Sequence, residues 1–338
     1  MLGGREHACE LLKERTSPMT AFSRRNLLTG SSAALALAAV PAEAAAPAAG
    51  VQGPGVHRQK IGAIEVTALY DGTWFRKIDD KFVRNAGPAE VNKALADSFL
   101  PPGIVPTSFT ALLVNTGSKL VLIDTGTGGQ LGPTTGHMPA ALAAAGVQAG
   151  AIDTIAISHF HPDHINGIKD KDGNKVFANA EIHVPAPEWA FWMDDGKMNA
   201  APEAMRPLFL NARRIFRDIA GEVKRFEPGA DMAPGVASIA AYGHTPGHCA
   251  FSINSGNQSL LVLSDTTNHP WLFARNPRWQ GVFDMDGAMA VEHRRRMLDR
   301  AAADRMLVHG YHFPFPATGY IVKTATGYEV VPVMWQPI

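Results

Sequence analysis

Cysteine is nearly absent from this 338-residue chain, which holds only Cys9 and Cys249. Cys9 falls in a segment that reads as a removable leader, so the mature chain keeps Cys249 alone. No intrachain disulfide can then form, even in an oxidising compartment. Cys249 sits in the strand-like run Cys249-Ala250-Phe251-Ser252-Ile253 and reads as a small buried hydrophobe rather than a nucleophile. An excess of either charge is also missing: Lys plus Arg number 31, as do Asp plus Glu. Nucleic acid and anionic surfaces therefore have no electrostatic reason to bind, and the basic groove of a nuclease is not in evidence. No apolar run is long enough to span a bilayer well, and no internal repeat is evident. Core-forming material is plentiful, with hydrophobic residues at 46%. The length allows one large domain or two small ones.

The N-terminus reads as an address rather than as fold. Ser23-Arg24-Arg25-Asn26-Leu27-Leu28 precedes a modest apolar run, Ala33 to Val40, and Ala42-Glu43-Ala44 offers an Ala-x-Ala cleavage site. A charged region, a short apolar region and small residues define an export signal, and the paired arginines point to the twin-arginine route. Residues 1–18 look unlike a signal start, which makes Met19 a candidate initiator. The expected organisation is a signal peptide over 1–44, a linker over 45–56 and a folded domain over 57–338, in a periplasmic protein with no stable membrane insertion after cleavage. Cleavage removes five basic and four acidic residues, leaving 26 and 27 from 31 of each, so the mature chain stays near neutral.

Along the domain, strands and helices alternate. Strands are expected over 60–70, 109–114, 119–123, 152–157, 180–184, 223–226, 236–241, 260–263 and 306–308, with Asn115-Thr116-Gly117-Ser118 as a hairpin turn. Asp71-Gly72 reads as a turn closing the first strand. Helices are expected over 88–99, 137–145, 204–220 and 286–303. Arg294, Arg295 and Arg296 in the last helix read as a solvated face. The loop Asp124-Thr125-Gly126-Thr127-Gly128-Gly129 follows a strand, but no Lys-Ser/Thr pair comes after it, which excludes a P-loop.

One stretch stands apart: Ser158-His159-Phe160-His161-Pro162-Asp163-His164-Ile165-Asn166-Gly167. Four side chains able to bind metal fall within six residues, where an apolar strand gives way to a loop. A single histidine there would more simply be a hydrogen-bonded loop residue. Three with an aspartate suit a metal site, because imidazole and carboxylate are ligands that zinc accepts. They supply part of two sites and complete neither. Three further strand ends offer the remainder: Gly243-His244-Thr245-Pro246-Gly247-His248, Ser264-Asp265-Thr266 and His309-Gly310-Tyr311-His312. His248 reads as structural. His309 follows its strand directly, whereas Gly310 could turn the chain and carry His312 over the site. Glu188-Trp189-Ala190-Phe191-Trp192 reads either as a core helix face or as a lid, with Trp189, Phe191 and Trp192 as an apolar substrate wall. His269 and Trp271 are pocket candidates on the same terms, with a surface loop as the alternative.

The central stretch resembles the His-x-His-x-Asp-His signature of metallo-β-lactamase-fold hydrolases, and the resemblance spans about residues 57 to 325. Within that fold the chain is most similar to the methyl-parathion hydrolases and related exported lactonases. The carrying residues are Ile123-Asp124-Thr125-Gly126, Gly132-Pro133-Thr134, the histidine signature and His312-Phe313-Pro314-Phe315-Pro316. The resemblance implies an α/β four-layer αβ/βα sandwich of two mixed sheets with helices outside. It implies a first ion on His159, His161 and His244, a second on Asp163, His164 and His312, and Asp265 bridging both. Asp163 and Asp265 would be catalytic, and Asp124 and His309 would orient ligands from behind. A bridging hydroxide would cleave a lactone, ester or phosphotriester of a small-molecule substrate. Zinc is expected, with manganese, iron and cobalt as alternatives. A homodimer is compatible with this reading. The competing classes are an iron-dependent oxidoreductase of the persulfide-dioxygenase type on the same fold and a non-catalytic metal-binding protein.

Overall fold

Two seven-stranded sheets carry the chain, and each is laid down in sequence order. The computed structural model describes residues 49–338, and residues 53–338 form a unit of their own. The expected signal over 1–44 lies outside the described residues. In the first sheet, β1 (Val56–Ile61), β2 (Ile64–Lys77), β3 (Ile104–Asn115) and β4 (Leu120–Ile123) are antiparallel neighbours. β5 (Thr154–Ala156), β6 (Glu181–Pro185) and β7 (Lys224–Phe226) then add in parallel. The second sheet runs from β8 (Asp231–Ala233) through β9 (Val236–Ala240), β10 (Cys249–Ser255), β11 (Gln258–Ser264), β12 (Leu307–Gly310) and β13 (Thr318–Lys323) to β14 (Tyr328–Pro332), with only β11 and β12 parallel.

Alternation along the strands decides which layer each side chain enters. On β3, Leu112 and Val114 join Val66, Val121 and Ile123 against Val236, Cys249, Phe251 and Leu260 of the second sheet. Ala111 and Leu113 point the other way, into a core with Met138, Leu142, Phe209 and Phe216 of the covering helices. The helix Gly287–Ala303 covers the far face of the second sheet through Met297, Leu298 and Ala301. Helix, sheet, sheet, helix are thus four layers, as expected of the α/β sandwich. Cys249 is buried between the sheets, in keeping with its reading as a small hydrophobe.

Several expected elements are corrected. The strand expected over 60–70 is split by the turn at Gly62, whose φ is 58°, and Asp71-Gly72 is no turn. It is a bulge within β2, with the register shifting between Tyr70 and Gly72. The bulge brings the buried Asp71 carboxylate to the amides of Thr127 and Met138, at 2.8 Å each, so a residue with turn chemistry here pins the loop after β4. Arg294 is not solvated: its guanidinium is fully buried. The helix expected over 204–220 is shorter, Arg206–Phe216. Among the described residues no helix is long and apolar enough to cross a membrane.

Candidate metal centre

Five strand ends open onto one edge of the sandwich. β4 delivers Asp124, β5 the stretch from Ser158 to His164, β9 the loop to His244, β11 Asp265 and β12 the loop to His312. Asp124 (φ 60°) and Ser264 (φ 46°) adopt the left-handed backbone conformation that L residues rarely take. Both stand where a strand turns into this edge, and such strain collects at functional sites. Gly167 is required by close approach, since a Cβ there would stand 1.8 Å from the Thr125 carbonyl oxygen.

Seven donor atoms gather in two groups. The first takes His159, His161, His244 and Asp265; the second takes Asp163, His164 and His312, and within each group the atoms lie within 4.8 Å of one another. His161 Nδ1 is 3.0 Å from His159 Nε2 and 2.9 Å from His244 Nε2. Asp265 faces both groups: Oδ2 is 3.2 Å from His244 Nε2 and 2.9 Å from His312 Nε2, while Oδ1 is 3.2 Å from His164 Nε2.

The rings are held from behind, which sets their tautomers. His164 Nδ1–H donates to Asp124 Oδ2 at 2.8 Å, and His244 Nδ1–H donates to Asp284 Oδ1 at 3.0 Å. His312 Nδ1–H donates to the Ser108 carbonyl at 2.9 Å, and His159 Nδ1–H to Ser158 Oγ at 3.0 Å. Ser158 in turn gives its amide and hydroxyl to Asp124. Four Nε2 lone pairs are therefore turned inward, the arrangement by which second partners orient metal ligands. Burial without a partner points the same way. His164 Nε2 and Asp265 Oδ1 are buried and 3.2 Å apart, and neither makes a hydrogen bond, a costly condition that a cation between them would relieve. The residues fit a pair of divalent ions.

Protons compete for the same atoms. Burial opposes charge on His244, but the Asp265 and Asp284 carboxylates prevail and push its pKa up to about 9. Burial likewise opposes charge on His164, yet Asp163, Asp265 and Asp124 raise it well above the usual histidine range. Burial and the neighbouring His244 ring push His161 down to about 3. An ion must therefore displace the proton that His244 holds below about pH 9. Metal affinity is expected to rise with pH as His244 and His164 give up their protons. Calorimetry in buffers of different ionisation enthalpy should record proton release on loading at pH 7; affinity independent of pH with no proton released would contradict the arrangement.

The other candidates drawn from the sequence sit elsewhere. His309 is buried with Nε2 toward the Thr110 carbonyl at 3.1 Å, so it ties β12 to β3 and touches no ligand. Trp192 is fully buried in the helix-side core, with Trp189 and Phe191 packed against the same core. His269 is buried, and burial lowers its pKa to about 3; its ring lies 5.4 Å from that of Trp271. None of these residues lines the cleft over the donor groups. That cleft, of about 90 Å³, has Trp74, Arg76, Phe82, Phe109, Leu131 and Phe283 among its walls. Sequence reading missed them because they come from β2, β3 and loops remote from the signature.

It also missed how Glu188 and Tyr311 fix the loops, whereas His248 is structural as read. Glu188 accepts from the Phe160 amide at 3.1 Å, the Gly247 amide at 2.7 Å and Trp192 Nε1 at 2.6 Å, which joins the two histidine loops. His248 Nε2 accepts from the Asp265 amide at 3.0 Å. Tyr311 donates its hydroxyl to the Asp163 carbonyl at 2.5 Å and stacks on His164 with centroids 4.0 Å apart.

Comparison with known proteins agrees with this architecture. No curated protein matches the chain in sequence. Among solved structures, the chain is similar to AidC, a dizinc quorum-quenching lactonase solved with its product N-hexanoyl-L-homoserine. The identity is 29%, over 84% of this chain and 99% of that one, with a TM-score of 0.79. It is similar to AbOPH, a hydrolase in the beta lactamase superfamily, at 27% identity over 85% and 100% of the two chains, with a TM-score of 0.78. A probable metal-dependent hydrolase from Staphylococcus aureus shares the fold at 20% identity, over 82% and 100%, with a TM-score of 0.67. The family model for the metallo-beta-lactamase superfamily matches residues 106–310, a span that runs from β3 to β12 and includes six of the seven donors. With hydrolases among its structural neighbours and the family model covering more than half its length, the chain belongs to the metallo-beta-lactamase superfamily.

Proposed function

We propose that this hydrolase cleaves lactones, with esters and phosphotriesters as further substrates, using two zinc ions. His159, His161 and His244 would hold the first ion, Asp163, His164 and His312 the second, and Asp265 both. The observation that carries the reading is the pair of donor groups with Asp265 facing each. A pair of divalent ions at such a site supplies Lewis acidity toward a carbonyl or phosphoryl oxygen and brings the pKa of water down toward about 7.

The chain's own residues do the rest. Asp124, Asp284, Ser158 and the Ser108 carbonyl keep four imidazoles in the tautomer that presents Nε2. Asp163, which lines the cleft, would hold the proton that the attacking water gives up and return it to the leaving oxygen. Phe109, Phe82, Phe283 and Leu131 give apolar walls for the organic part of a small substrate. Similarity to a dizinc lactonase supports lactones over the other substrates.

Metal analysis with a hydrolysis panel tests this. Two ions per chain are expected, and chelation should remove ions and turnover together, with zinc restoring both. Across lactones, aryl esters, organophosphates and β-lactams, lactones should give the highest kcat/KM. A protein loaded with both ions that turns over no member of the panel would sink the proposal.

A further inference from the structure

Arg76 is an unusual wall for such a cleft. It shares the cavity with His161, Asp163, His244, Asp265 and His312. On β2 it stands two residues after Trp74, so both project from the same face, while Phe75 between them is turned to solvent, 61% exposed. The guanidinium lies 5.6 Å from the Trp74 ring centroid and 5.4 Å from that of Phe82. These aromatic faces hold the planar group without using its N–H donors. Burial lowers the Arg76 pKa against the pull of Asp79, and the group keeps its charge. Yet it forms no ion pair and no side-chain hydrogen bond with any described residue. A partly buried, preorganised fork of donors beside a reaction centre has its acceptor still to come.

We infer that Arg76 receives an anionic group of the substrate, so that the cleft selects esters or lactones bearing a carboxylate or comparable anion close to the scissile bond. This rests on the hydrolytic reading of the site. The carboxylates of the cleft do not occupy Arg76: Asp265 and Asp163 face the histidines. A substrate anion can pair with the guanidinium in bidentate fashion while its apolar part lies against the aromatic walls. Arg76 acts as a specificity residue, and the ester bond itself is left to the donor groups below it.

Two matched pairs of esters locate the anion. 4-Nitrophenyl butyrate against the 4-nitrophenyl hemiester of succinate places it on the acyl side; phenyl acetate against 4-acetoxybenzoate places it on the leaving group. Wild-type holoenzyme should favour the anionic member of one pair by about tenfold in kcat/KM, the scale of a charge-assisted hydrogen bond. Arg76→Gln should erase that ratio, and Arg76→Lys should restore part of it. Binding of benzenesulfonate, a poor metal ligand, to zinc-loaded protein is read in parallel by calorimetry and should weaken about tenfold in Arg76→Gln at unchanged metal content. Equal benzenesulfonate affinity in wild type and Arg76→Gln, or an anionic preference that survives the substitution, overturns the inference. Loss of sulfonate binding in Arg76→Gln in a protein that hydrolyses no ester would uphold the anion site and reject the hydrolytic reading instead.

Discussion

Asp265→Ala is expected to lose more turnover than any other single substitution. Replacing a partner behind a metal ligand typically costs about 10–100-fold in affinity or activity, and Asp265 stands in front, with an oxygen toward each donor group. Its carboxylate lies within 3.2 Å of His164, His244 and His312, so its removal both unlinks the groups and leaves three imidazoles without their shared anion. In the variant, metal content should fall below two ions per chain, and kcat should fall by more than the change in KM. Asp265→Asn separates charge from shape: it keeps the volume and the backbone hydrogen bond to His248, yet should lose the metal as well. The measurements are metal content by elemental analysis and kcat on the best lactone of the panel. A variant that keeps both ions and the wild-type rate would remove Asp265 from the centre.

The largest loss of stability is expected from Arg294→Ala. Arg294 and Asp284 are both fully buried and meet at 3.2 Å. The guanidinium also donates to the Thr266 carbonyl at 3.0 Å and the Trp279 carbonyl at 2.7 Å. Truncation takes the buried Asp284 carboxylate's guanidinium partner away, leaving it His244 and the Gly281 amide, and opens two carbonyls; breaking such a pair costs about 3–5 kcal/mol. Arg294→Lys should recover little, because an ammonium cannot reach acceptors spread across the guanidinium plane. Urea unfolding of the metal-free protein reads this directly; a loss below about 0.5 kcal/mol, the scale of an ordinary surface substitution, would refute it. Metal affinity should fall too, because Asp284 is the group that orients His244.

How much of this was legible depended on the range of the forces involved. Ile152, Ile155 and Ile157 announced a buried strand, and the polar stretch after it announced the site, because burial and coordination chemistry are written there in adjacent residues. Elsewhere local cues misled. Asp71-Gly72 has turn chemistry but sits in a bulge, since β3 pairs along the full length of β2. Trp189, Phe191 and Trp192 read equally as lid or core, because aromatic content does not say which side of a sheet a helix will cover. His309 and His312 were competitors until the packing of β12 against β3 sent His309 to the Thr110 carbonyl and left His312 beside Asp265.

The sequence by itself determined the alternation of strands and helices and the first metal-binding motif, for these rest on periodicity and on ligands within a few residues, while the four-layer fold was implied by the resemblance that the motif carries. Tertiary structure alone decided the convergence. Sheet order brings His244, Asp265 and His312 to one edge from loops far apart in the chain. It also decided which charged groups are buried. Arg294 opens a run of three arginines and looks, from its neighbours in the chain, like any surface residue. Its burial arises because carbonyls 15 and 28 residues away in sequence, at Trp279 and Thr266, are folded onto it. The energy of a buried charge is set by partners that only the folded chain assembles, and no local pattern records them.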